Sequence, residues 1–337
     1  MKKKKFNQIL TGVILISCSV CSCATGLGEN AASILGSSSE APVFLSCKAV
    51  SETEINFEFS LPVKVKTLNF NPQIELESVE EGNTVIVTFS GGPGPGEKLT
   101  ADLLAEDENG NTINVLVPLR TRNSKIPDII ITELRTEYSK PKCEFIEFKT
   151  HSKGNLGAIR VYVAGNSKEP LLYEFPPIET AAGEYITLHL RTMEDSNQNE
   201  LGSNLSESGG VDSSAKGRDL WIPGSTKLLR KTDIIYFLDQ DDNVMDAVML
   251  SENKDAWWNK DYFSEAAEFL YSKNTWINPD GKICSPADVI QTVGTTVTRT
   301  ICRDETLKLN SHAASDWYIT ATSCATPGMP NNLKRYN

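Results

Sequence analysis

Histidine is scarce in this chain of 337 residues. Only His151, His189 and His312 occur, far apart on a loop, a strand and a loop. No H-E-x-x-H, G-x-S-x-G or H-x-E…C-x-x-C pattern is present, which removes the usual signatures of zinc proteases, serine hydrolases and zinc deaminases. No Lys/Arg cluster lies outside the first five residues, and the formal net charge is −11. Loss of the four leading lysines would take it to about −15, a surface that repels phosphate backbones, so nucleic acid is not an expected partner. No apolar run after residue 16 is long enough to cross a bilayer. Of eight cysteines, Cys47, Cys143, Cys284, Cys302 and Cys324 lie in the part expected to fold. They form no C-x-x-C pair and no Cys/His cluster at zinc spacing, so neither a metal nor a cofactor is expected. The glycine-rich run Gly91 to Gly96 lacks the Lys-Ser/Thr of a phosphate loop and any following helix, and reads as an ordinary loop.

What is present begins with the leader. Lys2 to Lys5 precede an apolar segment from Phe6 to Ile16, followed by Ser17-Cys18. A basic start, a short apolar middle and a small residue before the cut are the grammar of a secretory signal peptide. About 11 apolar residues are too few for a spanning helix, which needs about 20. Leu15-Ile16-Ser17-Cys18 resembles the lipobox of bacterial lipoproteins, which implies cleavage after residue 17 and acylation, as with palmitate, at Cys18. Val20-Cys21-Ser22-Cys23 is a second, weaker lipobox, with Cys23 as the alternative. The resemblance implies an extracytoplasmic protein anchored by lipid to the cell membrane or outer membrane. Residues 18–41, rich in Ser, Gly, Ala and Asn, read as a flexible tether.

From Pro42 the chain turns to short alternating strands. Ile55, Phe57 and Phe59 alternate with Asn56, Glu58 and Ser60. Ile74 and Leu76 alternate with Glu75 and Glu77. Val85, Val87 and Phe89 form another inward set, then Leu99, Ala101 and Leu103, and finally Ile113, Val115 and Val117. About seven short strands punctuated by turns such as Asp107 to Asn111 predict a β-sandwich over residues 42–124. Phe59-Ser60-Leu61-Pro62-Val63 and the Asp107-x-Asn109-Gly110-Asn111 turn resemble the Ig-like domains of bacterial surface and S-layer proteins, which implies a spacer or adhesive module without catalytic residues.

A second β-rich region covers residues 128–332. Strands are expected at Ile129 to Leu134, Cys143 to Phe148, Ala158 to Val163, Tyr185 to Leu190, Ile234 to Leu238 and Val244 to Leu250. The I-x-I-T-E-L opening strand, the E-F-I-E-F strand, the Asp239-x-Asp241-x-Asn243 hairpin and the terminal Asp316-Trp317 and Thr326-Pro327-Gly328-x-Pro330-Asn331 resemble the lamin tail domain. That resemblance implies an Ig-type sandwich, found in bacteria in exported and membrane-linked proteins, sometimes beside nuclease or phosphoesterase domains. The expected fold class is all-β: two Ig-like β-sandwich domains in tandem, the second lamin-tail-like with a helical insertion. Two stretches depart from the family, near residues 191–232 and 251–294. The first is rich in Ser, Asn, Gly and Asp and long for a loop. In the second, residues 256–273 favour helix, and Trp258, Tyr262, Ala266 and Phe269 recur as a stripe along one face.

Candidates for chemistry are few. Asp239 to Asn243 fails as an EF-hand loop, because its sixth and twelfth positions hold Val244 and Leu250 rather than Gly and Glu. A hairpin turn in which Asp and Asn bond their own backbone is the better account. Cys284 and Cys302 flank what looks like a loop leading into a strand and are the favoured disulfide after export. The aromatic set Trp257, Trp258, Tyr262, Phe263 and Trp276 is the best candidate for binding a partner, since exposed aromatics anchor protein interfaces and stack on sugars. The competing account makes these rings the core of the inserted helix. Adjacent Trp257 and Trp258 cannot both face inward on one helix, so one of them is expected at the surface. The functional expectation is a non-enzymatic cell-envelope or surface protein, held by its lipid and binding an unknown protein or carbohydrate. The alternative is an exported scaffold subunit docking a hydrolase or nuclease of the same cell.

Overall fold

The computed structural model describes residues 40–307 and 310–336. The leader, Cys18, Cys23 and nearly all of the expected tether lie outside the described residues. Nineteen strands and one α-helix make up the described chain, so the protein is mostly β.

The first body contains β1 (Phe44–Ala49), β2 (Glu54–Asn71), β3 (Leu76–Glu80), β4 (Gly82–Phe89), β5 (Lys98–Glu106) and β6 (Thr112–Arg120). That is six strands, one fewer than the turn count predicted. The reason is β2, which runs unbroken for 18 residues. Its first half pairs with β1 and β4 and its second half with β5. The register with β4 shifts between Glu58 and Val63, around Pro62. Proline has no N–H to give a ladder, so a point where the strand changes partners is where it fits. The predicted inward sets all arrive in one core: Ile55, Phe57 and Phe59, then Val85, Val87 and Phe89, then Leu99, Ala101 and Leu103. The Asp107 turn is built as the residue types require. Asp107 Oδ1 accepts from the amides of Asn109 and Asn111, both at 2.8 Å, and Asn111 Nδ2 donates to Oδ2 at 2.9 Å.

The second body starts with β7 (Ile129–Arg135), β8 (Phe145–Thr150), β9 (Gly154–Asn155), β10 (Arg160–Val163), β11 (Leu171–Glu174), β12 (Glu179–Thr180) and β13 (Tyr185–His189). It continues with β14 (Arg218–Trp221), β15 (Asp233–Leu238), β16 (Val244–Ser251), helix α1 (Asp261–Ser272), β17 (Ile290–Gln291), β18 (Ile301–Arg303) and β19 (Trp317–Ile319). A five-stranded sheet has the order β11-β10-β15-β16-β17 and a six-stranded sheet the order β14-β13-β8-β7-β18-β19, with β9 and β12 as a separate pair. Ile131, Ile146, Phe148, Ile186 and Leu188 from the six-stranded sheet meet Val161, Val163, Ile235, Phe237 and Val248 from the other in a single core. Buried Asp246 on β16 also accepts from the Ile131 amide at 2.7 Å, a polar link between the sheets.

The insertion near 251–294 covers the other side of the five-stranded sheet. Phe263, Ala266, Ala267 and Leu270 form the buried face of α1, and Phe269 packs on Tyr236 of β15. The helix begins at Asp261, later than expected, so Trp257 and Trp258 precede it. The predicted stripe is rotated by about one residue: Ala266 is buried as expected, while Trp258, Tyr262 and Phe269 are only partly buried.

Residues from Pro42 onward form one compact unit in which the two cores stay separate. The junction between them is made by a buried amide and two glycines. Asn123 Nδ2 donates to the carbonyls of Asn155 and Gly157, each at 2.8 Å, and its Oδ1 accepts from the Lys125 amide at 2.9 Å. Gln240, in the β15–β16 turn, accepts from the Asn123 amide and donates to its carbonyl. Gly96 of the Gly-Pro loop lies against Gly157: a Cβ on Gly96, at φ +71°, would meet the Gly157 carbonyl carbon at 2.5 Å. The loop that is no phosphate cradle is therefore a docking surface for the second body. Arg120 to Glu174, Arg122 to Asp241 and Lys125 to Glu52 add ion pairs around the same joint.

Candidate functional site

The five proposed binding aromatics do not form one exposed patch. Trp257 is 78% exposed. Trp258 is half-buried and donates Nε1–H to the Cys284 carbonyl at 2.9 Å. Tyr262 is partly buried against the core and Phe263 fully buried. Trp276 is 1% exposed and donates Nε1–H to the Ala247 carbonyl at 2.7 Å. Its backbone holds φ 56°, costly for a bulky residue and compatible with a ring committed to burial. Trp276 and Phe263 are thus corrected from partner-binding to structural, because Trp276 bonds to β16 and Phe263 lies in the buried face of α1. Trp257 alone is presented to solvent.

The favoured disulfide is absent as well: Cys284 and Cys302 are both free thiols. Cys284 Sγ donates to the Trp276 carbonyl at 3.2 Å, under the helical insertion. Cys302 is buried on β18, 3.8 Å from Thr300 Oγ1. Each thiol is packed in its own surroundings, as small hydrophobes are. Asp239 forms the expected hairpin, its Oδ1 accepting from the amides of Asp241 at 2.8 Å and Asn243 at 2.9 Å. Among the described residues no group of three or more His, Cys, Asp or Glu could hold a metal ion, and no helix is long and apolar enough to cross a membrane.

Sequence reasoning missed a different feature. Strand alternation sends Ile146, Phe148, Ile186 and Leu188 into the core, so Glu147, Thr187 and His189 point from the opposite face of the six-stranded sheet. Such a face is ordinarily wet. Here it is buried under two covers, and two polar clusters lie beneath them.

The first cover is the Ser/Asn/Gly/Asp-rich insertion. It is stitched down by its own side chains: Glu200 accepts from the amides of Asp219, Glu207 and Ser208, and Asn199 Oδ1 accepts from the Trp221 amide. These bonds also satisfy β14, which would otherwise be an open sheet edge. Beneath lies His189, with Nε2 2.7 Å from Asp219 Oδ1 and Nδ1 3.9 Å from Cys143 Sγ. Trp221 stacks on the imidazole at 3.7 Å between centroids. Arg135 is bound by Asp212 and lies over the Phe145 ring. A Cys, a His and an Asp in line suggest a nucleophile, base and orienting acid. The electrostatics oppose that chemistry. Burial first, and the Asp212 charge second, push the Cys143 thiol up to about 12, so the sulfur stays protonated where a nucleophile needs a thiolate.

The second cover is the C-terminal segment. Thr326 donates its amide to Glu133 Oε2 at 3.0 Å, and the Gly328 amide donates to Glu147 Oε2 at 2.6 Å. Asn331 Nδ2 donates to the carbonyls of Thr132 and Arg303. Glu133 and Glu147 sit opposite one another on β7 and β8, fully buried. The I-T-E-L, E-F-I-E-F and T-P-G-x-P-N segments therefore meet at one place, where two strand glutamates receive the amides of the closing segment. The two covers touch. A Cβ on Gly217 would meet Gly328 Cα at 2.5 Å, and one on Gly328, at φ +77°, would meet Ser214 Cβ at 2.6 Å.

A surface depression of about 580 Å³ lies beside β11, lined by Leu171, Leu172, Ile222 and Leu228 with Lys168, Glu169 and Arg230. It includes no residue of the covered polar face.

Residues 127–319, more than half of the chain, match a family model described as "TP_1001_2nd: protein second domain". A curated protein of Treponema pallidum (strain Nichols), described as uncharacterized, is 27% identical over 143 residues, covering 41% of this chain and 36% of the relative. The chain thus spans about a third of the length of that relative.

Proposed function

The chain belongs to the TP_1001_2nd family of protein second domains, and from that premise we propose a non-enzymatic binding protein of the bacterial envelope. In this proposal the two bodies are Ig-like sandwiches, the second of lamin-tail type, and an N-terminal lipid on Cys18 or Cys23 holds them at a membrane. The binding element is the helical insertion, with a protein or carbohydrate as partner. The observation that carries it is Trp257, 78% exposed on an insertion whose Phe263 and Trp276 are buried beneath it. An indole kept in water costs burial energy, about 25 cal/mol per Å² of apolar surface, that a partner would recover. The joint at Asn123, Gln240 and Gly96 supports a fixed presentation of that insertion.

Two experiments test the proposal. Cells expressing the protein and fed labelled palmitate incorporate label in wild type and lose it in a Cys18→Ala or Cys23→Ala variant; an unlabelled wild type removes the anchor. A photo-crosslinking residue is then placed at Trp257, with Leu116 of the first body, 69% exposed, as the control site, on intact cells. Adducts from the Trp257 site alone support the binding element. The same adduct pattern from both sites sinks it.

A further inference from the structure

The C-terminal segment crosses a face where two acids meet with no cation between them. Glu147 accepts from Thr132 Oγ1 at 2.7 Å, from Thr187 Oγ1 at 3.4 Å and from the Gly328 amide at 2.6 Å. Glu133 Oε2 accepts from Thr326 N and Oγ1, while its buried Oε1 has no partner. A buried carboxylate oxygen that no donor reaches, on a residue paired across the strands with a second buried glutamate, is where a proton belongs. Cations close by are engaged elsewhere: Arg135 on Asp212, Lys149 on Tyr185 and Glu305, Arg303 on Asp246 and Asp316, Arg335 on Asp304. The remaining groups facing the pair are Thr300 just before β18, Cys302 on β18, Tyr318 from β19, Tyr185 from β13 and Glu305 after β18. Glu305 binds the same segment, accepting the Asn331 amide at 2.7 Å.

We propose that Glu133, Glu147 and the segment from Thr326 to Asn331 form a proton-operated latch: the segment lies closed while the pair holds a proton, and it lifts when the proton leaves. Lifting admits water to the pair and frees the amides of Thr326 and Gly328.

The electrostatics agree in direction. Burial first raises both carboxyls above the ordinary range, and for Glu147 the Glu133 charge adds to it. The closed state thus binds a proton that the open, hydrated state has already lost. Its advantage is fully present below the ordinary glutamate range and is lost as pH rises through the pair's own titration.

The test is amide hydrogen exchange on the full chain from pH 5 to pH 9, corrected for base catalysis of exchange. Protection of the Thr326 and Gly328 amides is expected to fall by roughly tenfold or more, the factor of one pH unit of unmatched titration. The Ile131 amide, on Asp246 in the core, serves as the reference. Glu147→Gln keeps an acceptor for Gly328 and leaves Glu133 as the pair's one titrating group, so its protection should fall by less across the range. Level protection in wild type, or an equal fall in Glu147→Gln, overturns the latch. Should that variant fail to fold, infrared spectra of the wild type at pH 7 decide: a protonated-carboxyl band that Glu133→Gln removes supports the latch, and its absence refutes it.

Discussion

The joint between the two bodies should depend on one amide side chain. Asn123→Ala removes two donor bonds to buried carbonyls and one acceptor bond from the Lys125 amide. At about 1 kcal/mol net for each bond, and more where a buried carbonyl is left dry, the loss is about 2–4 kcal/mol. The surrounding ion pairs cannot make this up. Arg122 and Asp241 are 36% and 47% exposed, and pairs of that kind contribute roughly 0–1 kcal/mol. The sequence supplies a reporter, since Trp221, Trp257, Trp258, Trp276 and Trp317 all lie in the second body. Tryptophan fluorescence therefore follows the second body alone, while far-ultraviolet circular dichroism follows both. In wild type the two urea transitions should coincide. In Asn123→Ala they should separate, and high salt on wild type should not reproduce the effect. Coincident transitions in the variant, with a midpoint shift worth less than about 0.5 kcal/mol, would refute the assignment of the joint to this residue.

Gly157→Ala should loosen the same joint from the other side, because its Cβ would meet the Pro95 carbonyl oxygen at 2.5 Å; separated transitions in the same assay check it. Burial pushes Asp233 up to about 7 against the pull of the Gly165, Ile234 and Arg230 amides. The folded state then holds a proton the unfolded chain has lost, so this residue's share of stability is complete below about pH 4 and lost as pH rises to about 7. Asp233→Asn should flatten that decline, which reaches on the order of 1.4 kcal/mol per pH unit, in melting curves taken between pH 4 and 8. Burial, as the first cause in each, raises the thiols of Cys47 and Cys143 to about 12 and of Cys284 to about 11. Iodoacetamide at pH 8 should therefore leave all three unmodified in the native protein and label them after denaturation, as read by mass spectrometry of peptides.

Much of the strand framework is legible in the sequence because it rests on local alternation. Val85, Val87 and Phe89, or Ile146 and Phe148, declare their inward face within six residues. What escapes is whatever depends on distant partners. Strand β14 is four residues in a Ser/Gly-rich stretch, and its burial comes from parallel pairing with β13 some thirty residues earlier. The phase of α1 misleads because Trp258 fits the stripe but precedes the helix. Glu133 and Glu147 read as the wet side of half-buried strands. Only a segment that returns almost two hundred residues later turns that side into an interior. The His189–Asp219–Cys143 line is hidden for the same reason, each member being supplied by a different stretch of chain.

Gly96 and Gly157 carry a mechanical consequence. The β15–β16 turn that grips Asn123 is at one end of β16, and the insertion bearing Trp257 leaves from the other end, after Ser251. Eight residues of strand, at about 3.3 Å each, make a lever arm of roughly 25 Å. A hinge of about 10° at the glycine contact would then swing the far end of β16 by about 4 Å, more than the width of a hydrogen bond. The absence of two methyl groups at the pivot is what keeps that arm aimed.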